Sequence, residues 1–248
     1  MRILLVNPNI SDSVSELIAA EARRSASPGT EIHVLTAPFG VAYIETRFEA
    51  LLGAYAAAQL ACEHAAHHDA VVVAAFGDPG LAGLREVLPV PVTGMTEAAL
   101  ASAHLLGHRI SVIAISQRIQ AWYREVIESY GFGSRLASIR ALDRPLSAIA
   151  GVQQEHAQAL KALAERAVAE DGAEVIILAG APLAGLARSL QGQLPVPVVD
   201  GVSSAVRHDE TLVALKPGRA RRGSFAPPPA KPHRGLPDAI ARLLDSSR

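Results

Sequence analysis

The feature that most constrains the fold of this chain is an internal repeat. Residues 70–100 and 174–206 follow one order: a buried strand, a glycine-rich loop, the letters LAGL, the letters LPVPV, and the start of a helix of small residues. The apolar runs Arg2–Val6 and Arg109–Ile113 also match each other. Self-similarity of this kind predicts two copies of one structural unit.

Short branched-apolar runs alternate with alanine-rich amphipathic stretches, which is typical of βα units around a parallel sheet. The predicted strands are Arg2–Val6, Glu31–Thr36, Ala70–Ala75, Val90–Thr93, Arg109–Ile115, Leu136–Ala141, Glu174–Ala179 and Val196–Val199. The predicted helices are Val14–Ser25, Phe48–His67, Glu97–Leu106, Ile119–Tyr130, Ile149–Glu170 and Ser203–Arg207. The sequence therefore predicts an α/β fold with two pseudo-symmetric lobes.

Local signals predict where some of these elements begin and end. Ser11 or Ser13 can cap the first helix, and Glu16 is spaced for a capping box with Ser13. Gly131 follows the predicted helix Ile119–Tyr130 at the position that favours a left-handed glycine. The prolines of 216–235 exclude a helix there, so we expect an extended strap that returns a last helix, Leu236–Leu244, to the first lobe. We therefore assign 1–97 and 208–248 to the first lobe and 98–207 to the second.

Composition and charge exclude several classes of protein. Half of the residues are hydrophobic and the net charge is −1, which argues against disorder and against a nucleic-acid-binding field. The apolar runs are too short to span a bilayer, and the first residues lack a signal-peptide pattern. The single cysteine, Cys62, excludes a disulfide framework and fits a reducing compartment. We expect a cytoplasmic protein whose partner is a small molecule, with neither nucleic acid nor membrane as a partner.

Metal and nucleotide sites find little support in the sequence. Cys62 has histidines nearby but no second ligand pair, so a small buried hydrophobe explains it better than zinc does. The chain has no Walker A segment, and its glycines do not form a dinucleotide fingerprint. We expect no metal and no cofactor.

The predicted binding site is a cleft between the lobes. Ligands of parallel sheets lie beyond the carboxyl ends of the strands, so the loops at 7–11, 76–80, 116–117 and 180–182 would face one cleft. The loop 76–80 has two glycines, a proline and Asp78, which suits backbone amides that approach an anion. An equally good interpretation is a tight strand-to-helix turn in which Asp78 is only a cap.

Five segments together resemble a known family. The segments are Val6–Ser11, Tyr43–Glu45, Ala75–Gly80, Gly94–Ala99 and Val199–Val202. In combination they resemble the aspartate/glutamate racemase superfamily, and within it the hydantoin and allantoin racemases. The resemblance implies two flavodoxin-like lobes, a cofactor-independent site between them and a homo-oligomer. It also implies two catalytic cysteines, one in the glycine-rich loop of each lobe.

The chain departs from the family at those cysteines. The first would fall at Ala75 and the second at Gly180, and neither residue can accept or donate a proton. The family's threonine pair is also replaced, by Ala114 and Ile115, with Ser116 next in line. The resemblance therefore implies the fold but not a thiol mechanism.

The remaining polar groups of these loops define the predicted site. Asp78 lies beside the lost first thiol and could act as a base on one face if burial raises its pKa. The candidate catalytic residues are Asp78, Thr96 and Ser116. The candidate substrate-binding residues are Asn7, Asn9, Ser11, Glu45, Phe76, Gly77, Ala181, Pro182 and Asp200. As alternatives, Glu45 caps a loop and Asp200 is a turn residue.

Three hypotheses for function follow. The first is an enzyme that acts at a carbon next to a carbonyl of a small acid, amide or cyclic ureide, as a racemase, decarboxylase, lyase or hydrolase without a thiol. The second is a pseudoenzyme that binds the small molecule without turnover. The third is a racemase whose cysteines were replaced by design. A carboxylate on one face favours decarboxylation, elimination or hydrolysis over racemisation.

Overall fold

The computed structural model describes residues 1–143 and 151–245. It contains two four-stranded parallel sheets. The first sheet contains β1 (Arg2–Asn7), β2 (Glu31–Thr36), β3 (Ala70–Val73) and β4 (Val92–Gly94) in the order β2-β1-β3-β4. The second contains β5 (Ile110–Ala114), β6 (Leu136–Ala141), β7 (Val175–Leu178) and β8 (Val198–Asp200) in the order β6-β5-β7-β8. The sheets have the same order, which confirms the predicted α/β fold of two similar lobes.

Nine helices connect and cover the strands in the described part of the chain. They are α1 (Asp12–Ser25), α2 (Arg47–His64), α3 (Leu81–Val87), α4 (Met95–His104), α5 (Gln120–Ser129), α6 (Val152–Asp171), α7 (Leu186–Leu190), α8 (Gly201–Leu215) and α9 (Asp238–Asp245). Short 3₁₀ turns cover Ala65–His67, Gln117–Ile119, Gly133–Arg135 and Ala181–Leu183. The predicted helix start at Ile149, in the segment before α6, lies outside the described residues. No helix among those described is both long enough and apolar enough to cross a membrane.

Several predicted boundaries are wrong for identifiable reasons. The helices α3 and α7 were not predicted, because segments of seven and five residues are too short to show a helical period. The helix α8 continues past Arg207 to Leu215. The residues after Arg207 are polar, so the sequence did not indicate a buried helix face there. Asp209 and Glu210 are nevertheless buried. The tail over 216–237 has neither helix nor strand, as expected, and α9 follows it to pack on α2.

The first helix is capped by Ser11 and not by Ser13. The Ser11 hydroxyl accepts from the Val14 backbone N–H at 3.4 Å, and the helix begins at Asp12. Ser13 therefore lies inside the first turn, so the predicted box with Glu16 is wrong. Gly131 has a φ of 81°, which confirms the predicted left-handed position after α5.

The register of the two sheets places two loops at matched positions. Val6 of β1 pairs with Val73 of β3, and Ile113 of β5 pairs with Leu178 of β7. One step further, the Ala74 N–H donates to the Val6 carbonyl and the Ala179 N–H donates to the Ile113 carbonyl, each at 2.8 Å. The next residues are Ala75 and Gly180, which therefore occupy equivalent places in the two lobes.

The last helix of each sheet packs against the other lobe. The helix α4 follows β4 but contacts β7, β8 and α5, while α8 follows β8 but contacts α1, β3 and β4. The two helices also contact each other. One buried cluster joins Phe76 and Leu100 to Trp122, and another joins Met95 to Ala181 and Val206. The lobes thus share their cores, while the division at residues 97/98 and 207/208 stays a prediction.

The start of α8 depends on one buried carboxylate. Asp200 accepts from the Ser203 N–H and from the Gly185 N–H, each at 2.9 Å, and is 5% exposed. It therefore satisfies an orphan donor of α8 and attaches the loop before α7 to that helix.

We predict that Asp200→Ala lowers the free energy of unfolding by about 1–3 kcal/mol, because a cap is lost and the Gly185 N–H loses its partner. Urea denaturation followed by circular dichroism measures the change. Asp12→Ala, on the exposed first turn of α1, is the matched control and should change stability by at most about 0.5 kcal/mol. Equal effects of the two substitutions would contradict this role for Asp200.

Candidate active site

A cavity of about 30 Å³ lies between the two lobes, where the matched loops meet. Its lining is Asn9, Tyr43, Ile44, Ala75, Phe76, Ile115, Ile119, Tyr123, Gly180, Ala181 and Pro182. Six predicted site residues are among them, including both positions where the family's cysteines would fall. A hollow of about 690 Å³ beside α6 is larger, but only the second lobe lines it.

The cavity is narrow. Its volume of about 30 Å³ is far below the typical volume of ligand pockets, about 300–1,000 Å³. A small ring can therefore enter only after the walls move apart.

One ion pair joins the lobes beside the cavity. The Arg47 guanidinium at the start of α2 donates to both carboxylate oxygens of Glu125 on α5, with its Nε at 2.8 Å. Both side chains are more than half exposed, and exposed pairs of this kind contribute about 0–1 kcal/mol. The pair therefore contributes little to the free energy that holds the lobes together.

The backbone differs between the two equivalent positions. Gly180 has a φ of 108°, a conformation that residues with a side chain rarely adopt. A Cβ there would have space, with Pro182 Cδ at 3.6 Å and the Tyr123 hydroxyl at 3.9 Å. Ala75 has an ordinary φ, since it is not among the residues of positive φ. A cysteine would thus fit the backbone at position 75 but would be strained at position 180.

Two tyrosines of the cavity were missing from the predicted site. Tyr123 on α5 is 3% exposed, and its ring centroid lies 4.7 Å from that of Phe76. Burial raises its pKa, as do the charges of Asp78 and Glu45, so its hydroxyl stays protonated. The sequence did not indicate that Tyr123 lines a cavity, because its place on the apolar face of a helix is typical of a core tyrosine.

Tyr43 brings a carboxylate close to the cavity. Burial and the neighbouring Glu45 carboxylate raise the Tyr43 pKa. Glu45 itself does not line the cavity. Tyr43 belongs to the segment Tyr43–Glu45, which contributes to the family resemblance. That resemblance was the signal by which the sequence could have identified Tyr43 as a site residue.

The Asp78 carboxylate points to the start of α4 and does not line the cavity. It accepts from the Thr96 and Glu97 N–H groups at 2.8 and 3.0 Å and from the Tyr130 hydroxyl at 2.9 Å. It also lies against Gly94, where a Cβ would come within 2.3 Å of the carboxylate carbon. Burial raises the Asp78 pKa to about 7. This geometry favours the cap over the base, and the catalytic assignment of Asp78 stays a prediction.

The other predicted polar residues form hydrogen bonds with the loops and helices around the cavity. The Thr96 hydroxyl accepts from the Gly77 N–H at 2.6 Å, which attaches the first loop to α4. The fully buried Asn7 amide donates to the Asn9 side-chain oxygen at 3.1 Å and so orients Asn9 at the cavity. Ser11 and Asp200 cap helices, and Ser116 accepts from the Arg118 N–H at the 3₁₀ turn after β5. The cavity lining excludes Asn7, Ser11, Thr96, Ser116 and Asp200.

No group of three His, Cys, Asp or Glu side chains suited to a metal ion occurs in the described part of the chain. Cys62 on α2 is half-buried and lies among apolar residues, and burial raises its pKa to about 11. This matches the interpretation of Cys62 as a small hydrophobe.

The sequence matches a family across most of its length. The family model described as Asp/Glu/Hydantoin racemase matches residues 3–208. A hydantoin racemase of Paenarthrobacter aurescens is 37% identical over 235 residues, which are 93% of this chain and 99% of that protein.

Two solved structures have a very similar fold. The allantoin racemase of Klebsiella pneumoniae superposes with a TM-score of 0.91 at 35% identity, over 97% of this chain and 98% of that one. The allantoin racemase of Pseudomonas fluorescens gives a TM-score of 0.88 at 39% identity, over 95% and 100% of the two chains.

We predict that stability falls with pH partly through Asp78. Between the ordinary carboxyl pKa of 3.8 and about 7, the folded chain holds a proton that the unfolded chain releases. The contribution of Asp78 to the free energy of unfolding therefore decreases as pH rises through this window and is flat above it. Urea denaturation from pH 4.5 to 8 should show a shallower decrease for Asp78→Asn than for the unchanged protein. Asp12→Asn is the control, and identical slopes in all three proteins would contradict the prediction.

Proposed function

This chain belongs to the Asp/Glu/hydantoin racemase family, and from that premise we propose that it takes a compact cyclic ureide into the cavity between its lobes. There it acts on the carbon next to a ring carbonyl, without a cofactor and without a thiol. The two glycine-rich loops meet at this cavity with Ala75 and Gly180 in equivalent places, which supports a reaction centre between them.

The observation that carries the choice of substrate is the neutral lining. None of the described residues that line the cavity is Lys, Arg, Asp or Glu. A dicarboxylate such as aspartate would lose its hydration there without gaining a cation, which is costly in a closed site. A hydantoin ring is polar but neutral, and the Asn9 amide and two tyrosine hydroxyls can hydrogen-bond to it.

Removal of the proton next to a carbonyl leaves negative charge on the carbonyl oxygen. Neutral donors in a dry site stabilise such an oxyanion strongly, because they need no reorganisation. The Tyr123 hydroxyl and the Asn9 amide are suited to this, since the raised pKa of Tyr123 keeps its proton in place.

The proton acceptor that we propose is the Tyr43–Glu45 pair. Tyr43 lines the cavity, and the Glu45 carboxylate lies close enough to its hydroxyl to raise the Tyr43 pKa. As the Tyr43 oxygen takes the proton from carbon, its own proton passes to Glu45, so no tyrosinate has to exist beforehand. Asp78 remains the other candidate, but three donors hold its carboxylate towards α4. Either base serves one face of the ring, which favours exchange or cleavage over racemisation.

A binding protein without turnover is the second candidate. It is favoured by one observation: the titratable side chains among the described cavity residues are two tyrosines, and the pKa of both is raised. Such groups bind well but remove protons poorly.

We expect the protein in heavy water to exchange the ring C–H of 5-substituted hydantoins, as followed by proton NMR. Glu45→Gln should slow the exchange about 100-fold or more, because the terminal acceptor is lost, while calorimetry still shows ligand binding. Glu63→Gln on the exposed part of α2 is the matched control and should keep the full rate.

Asp78→Asn separates the two bases in the same assay. Loss of exchange in Asp78→Asn with full exchange in Glu45→Gln would assign the base to Asp78 instead. Saturable binding by the unchanged protein with no exchange and no product would assign it to the binding-protein class.

We also expect Ala75→Cys to accelerate exchange of one enantiomer by tenfold or more, because a thiol would then face the ring from the first loop. Ala75→Ser has a similar size without a usable thiolate and is the control. Equal rates in the two variants would mean that a substrate carbon does not lie beside residue 75.

A further inference from the structure

Two buried polar side chains, one on β4 and one on α8, lack partners in the described part of the chain. The Thr93 hydroxyl and both carboxylate oxygens of Asp209 form no hydrogen bond there. The exposed fractions of the two residues are 4% and 0%. Thr93 lies near Asp209, but without the geometry of a hydrogen bond. Since a buried polar group without a partner costs free energy, each such group calls for a cause.

The internal repeat shows that the fold does not require these two polar groups. Aligned on the letters LPVPV, the two copies make Thr93 equivalent to Val199. With the same offset, Asp209 is equivalent to Ala103. Both apolar counterparts are buried in one core cluster. The same places in the fold therefore accept apolar side chains, so the polar pair has a different cause.

A hollow of about 360 Å³ lies beside Thr93 and is lined by residues of α3, β4, α4 and α8 and of the segment after α5. Its described lining shares no residue with the cavity between the two loops. Its volume lies within the usual range of small-molecule pockets, about 300–1,000 Å³. The unpartnered Thr93 hydroxyl therefore belongs to the wall of a space that a ligand can occupy.

The groups around Thr93 carry more negative than positive charge. Glu97 and Arg85 line the hollow and pair with each other, so one guanidinium serves both Glu97 and the nearby Asp209. Burial and the Glu97 charge raise the Asp209 pKa well above its ordinary value. His208 also lines the hollow, and its Nε2 lies 3.1 Å from a hydroxyl of α4. A further positive charge beside Thr93 would stabilise the buried carboxylate.

The hollow becomes apolar along α4. Glu97 is on the first turn of this helix, and Ala101 lines the hollow one turn later. Phe132 also lines it, and its ring centroid lies 5.8 Å from that of His104, the last residue of α4. Aromatic rings attract cations and pack against apolar groups. The hollow therefore suits a ligand with a charged head at the start of α4 and an apolar body towards its end.

We propose that this hollow is a second ligand site, which binds a small organic ammonium. The ammonium has three N–H donors and no acceptor, so it can donate to the Thr93 hydroxyl and to the Glu97 carboxylate. Its charge balances the carboxylate of Asp209. An anion would instead meet two carboxylates, and a neutral alcohol would supply no charge. The site does not depend on the chemistry proposed for the cavity between the loops.

The second site is joined to that cavity by direct contacts. Tyr130 lines the hollow, and its hydroxyl donates to the Asp78 carboxylate at 2.9 Å. The Glu97 N–H donates to the same carboxylate at 3.0 Å. Asp78 belongs to the first loop, whose Phe76 lines the cavity. A bound ammonium would therefore touch two residues that hold one wall of the cavity in place.

Isothermal titration calorimetry of the full chain with phenethylammonium chloride tests the site. We expect saturable binding, and phenethyl alcohol, which is similar in shape but neutral, should bind about tenfold more weakly or less. Thr93→Val keeps the shape of the side chain without its hydroxyl and should weaken ammonium binding about tenfold or more. Circular dichroism should show this variant folded, because it removes a buried group that has no partner.

Thr211→Val is the matched control. Thr211 also lines the hollow, but its hydroxyl already donates to the Arg207 carbonyl at 2.9 Å, so this variant should keep the affinity. The proposal is overturned if the unchanged protein shows no saturable binding of phenethylammonium, or if Thr93→Val binds it as tightly. Equal affinities for the ammonium and the alcohol would also overturn it, in favour of a purely apolar pocket. These titrations do not use C–H exchange, so a failure of the proposed chemistry and a failure of the second site are distinguishable.

Discussion

Two buried carboxylates hold the loops of the candidate site to the helices behind them. The free N–H groups at the start of a helix need acceptors when they are buried. Asp78 supplies one for α4 and Asp200 supplies one for α8. Each also fixes its glycine-rich loop: Asp78 belongs to the first loop, and Asp200 accepts from Gly185 in the second. The loops that carry Ala75 and Gly180 to the cavity are both attached in this way.

The two lobes solve the same problem with carboxylates from different positions. In the second lobe the aspartate is the cap residue itself, whereas in the first lobe the cap residue is Gly94 and the carboxylate arrives from the loop. Gly94 is required there because any side chain would collide with Asp78. Asp78 itself takes a φ of 47°, which is a left-handed backbone conformation that residues with a side chain rarely adopt. The repeat is therefore symmetric in its strands but not in the chemistry of its loops.

The strands, their repetition in two lobes and the position of the cleft could be predicted, because the apolar runs and the repeat can be recognised in the local sequence. The direction of the Asp78 side chain could not, since it depends on Gly94 and Tyr130, which are distant in sequence. Tyr123 was missed for a related reason: a tyrosine on an apolar face has the same pattern whether it faces a core or a cavity. The end of α8 was hidden by Asp209 and Glu210, whose burial only the packed lobes reveal.

The crossed packing of α4 and α8 determines how the cavity can open. Because each of these helices is built into the core of the opposite lobe, the lobes cannot separate on that side without exposing both clusters. Other contacts between the lobes are the loop that carries Tyr43, the exposed pair of Arg47 and Glu125, and the pair of Glu21 and Arg188. The helices α4 and α8 thus join the two lobes along one side of the molecule. A movement that widens the cavity would therefore leave the contacts of α4 and α8 in place and would shift the loop of Tyr43 and Ile44.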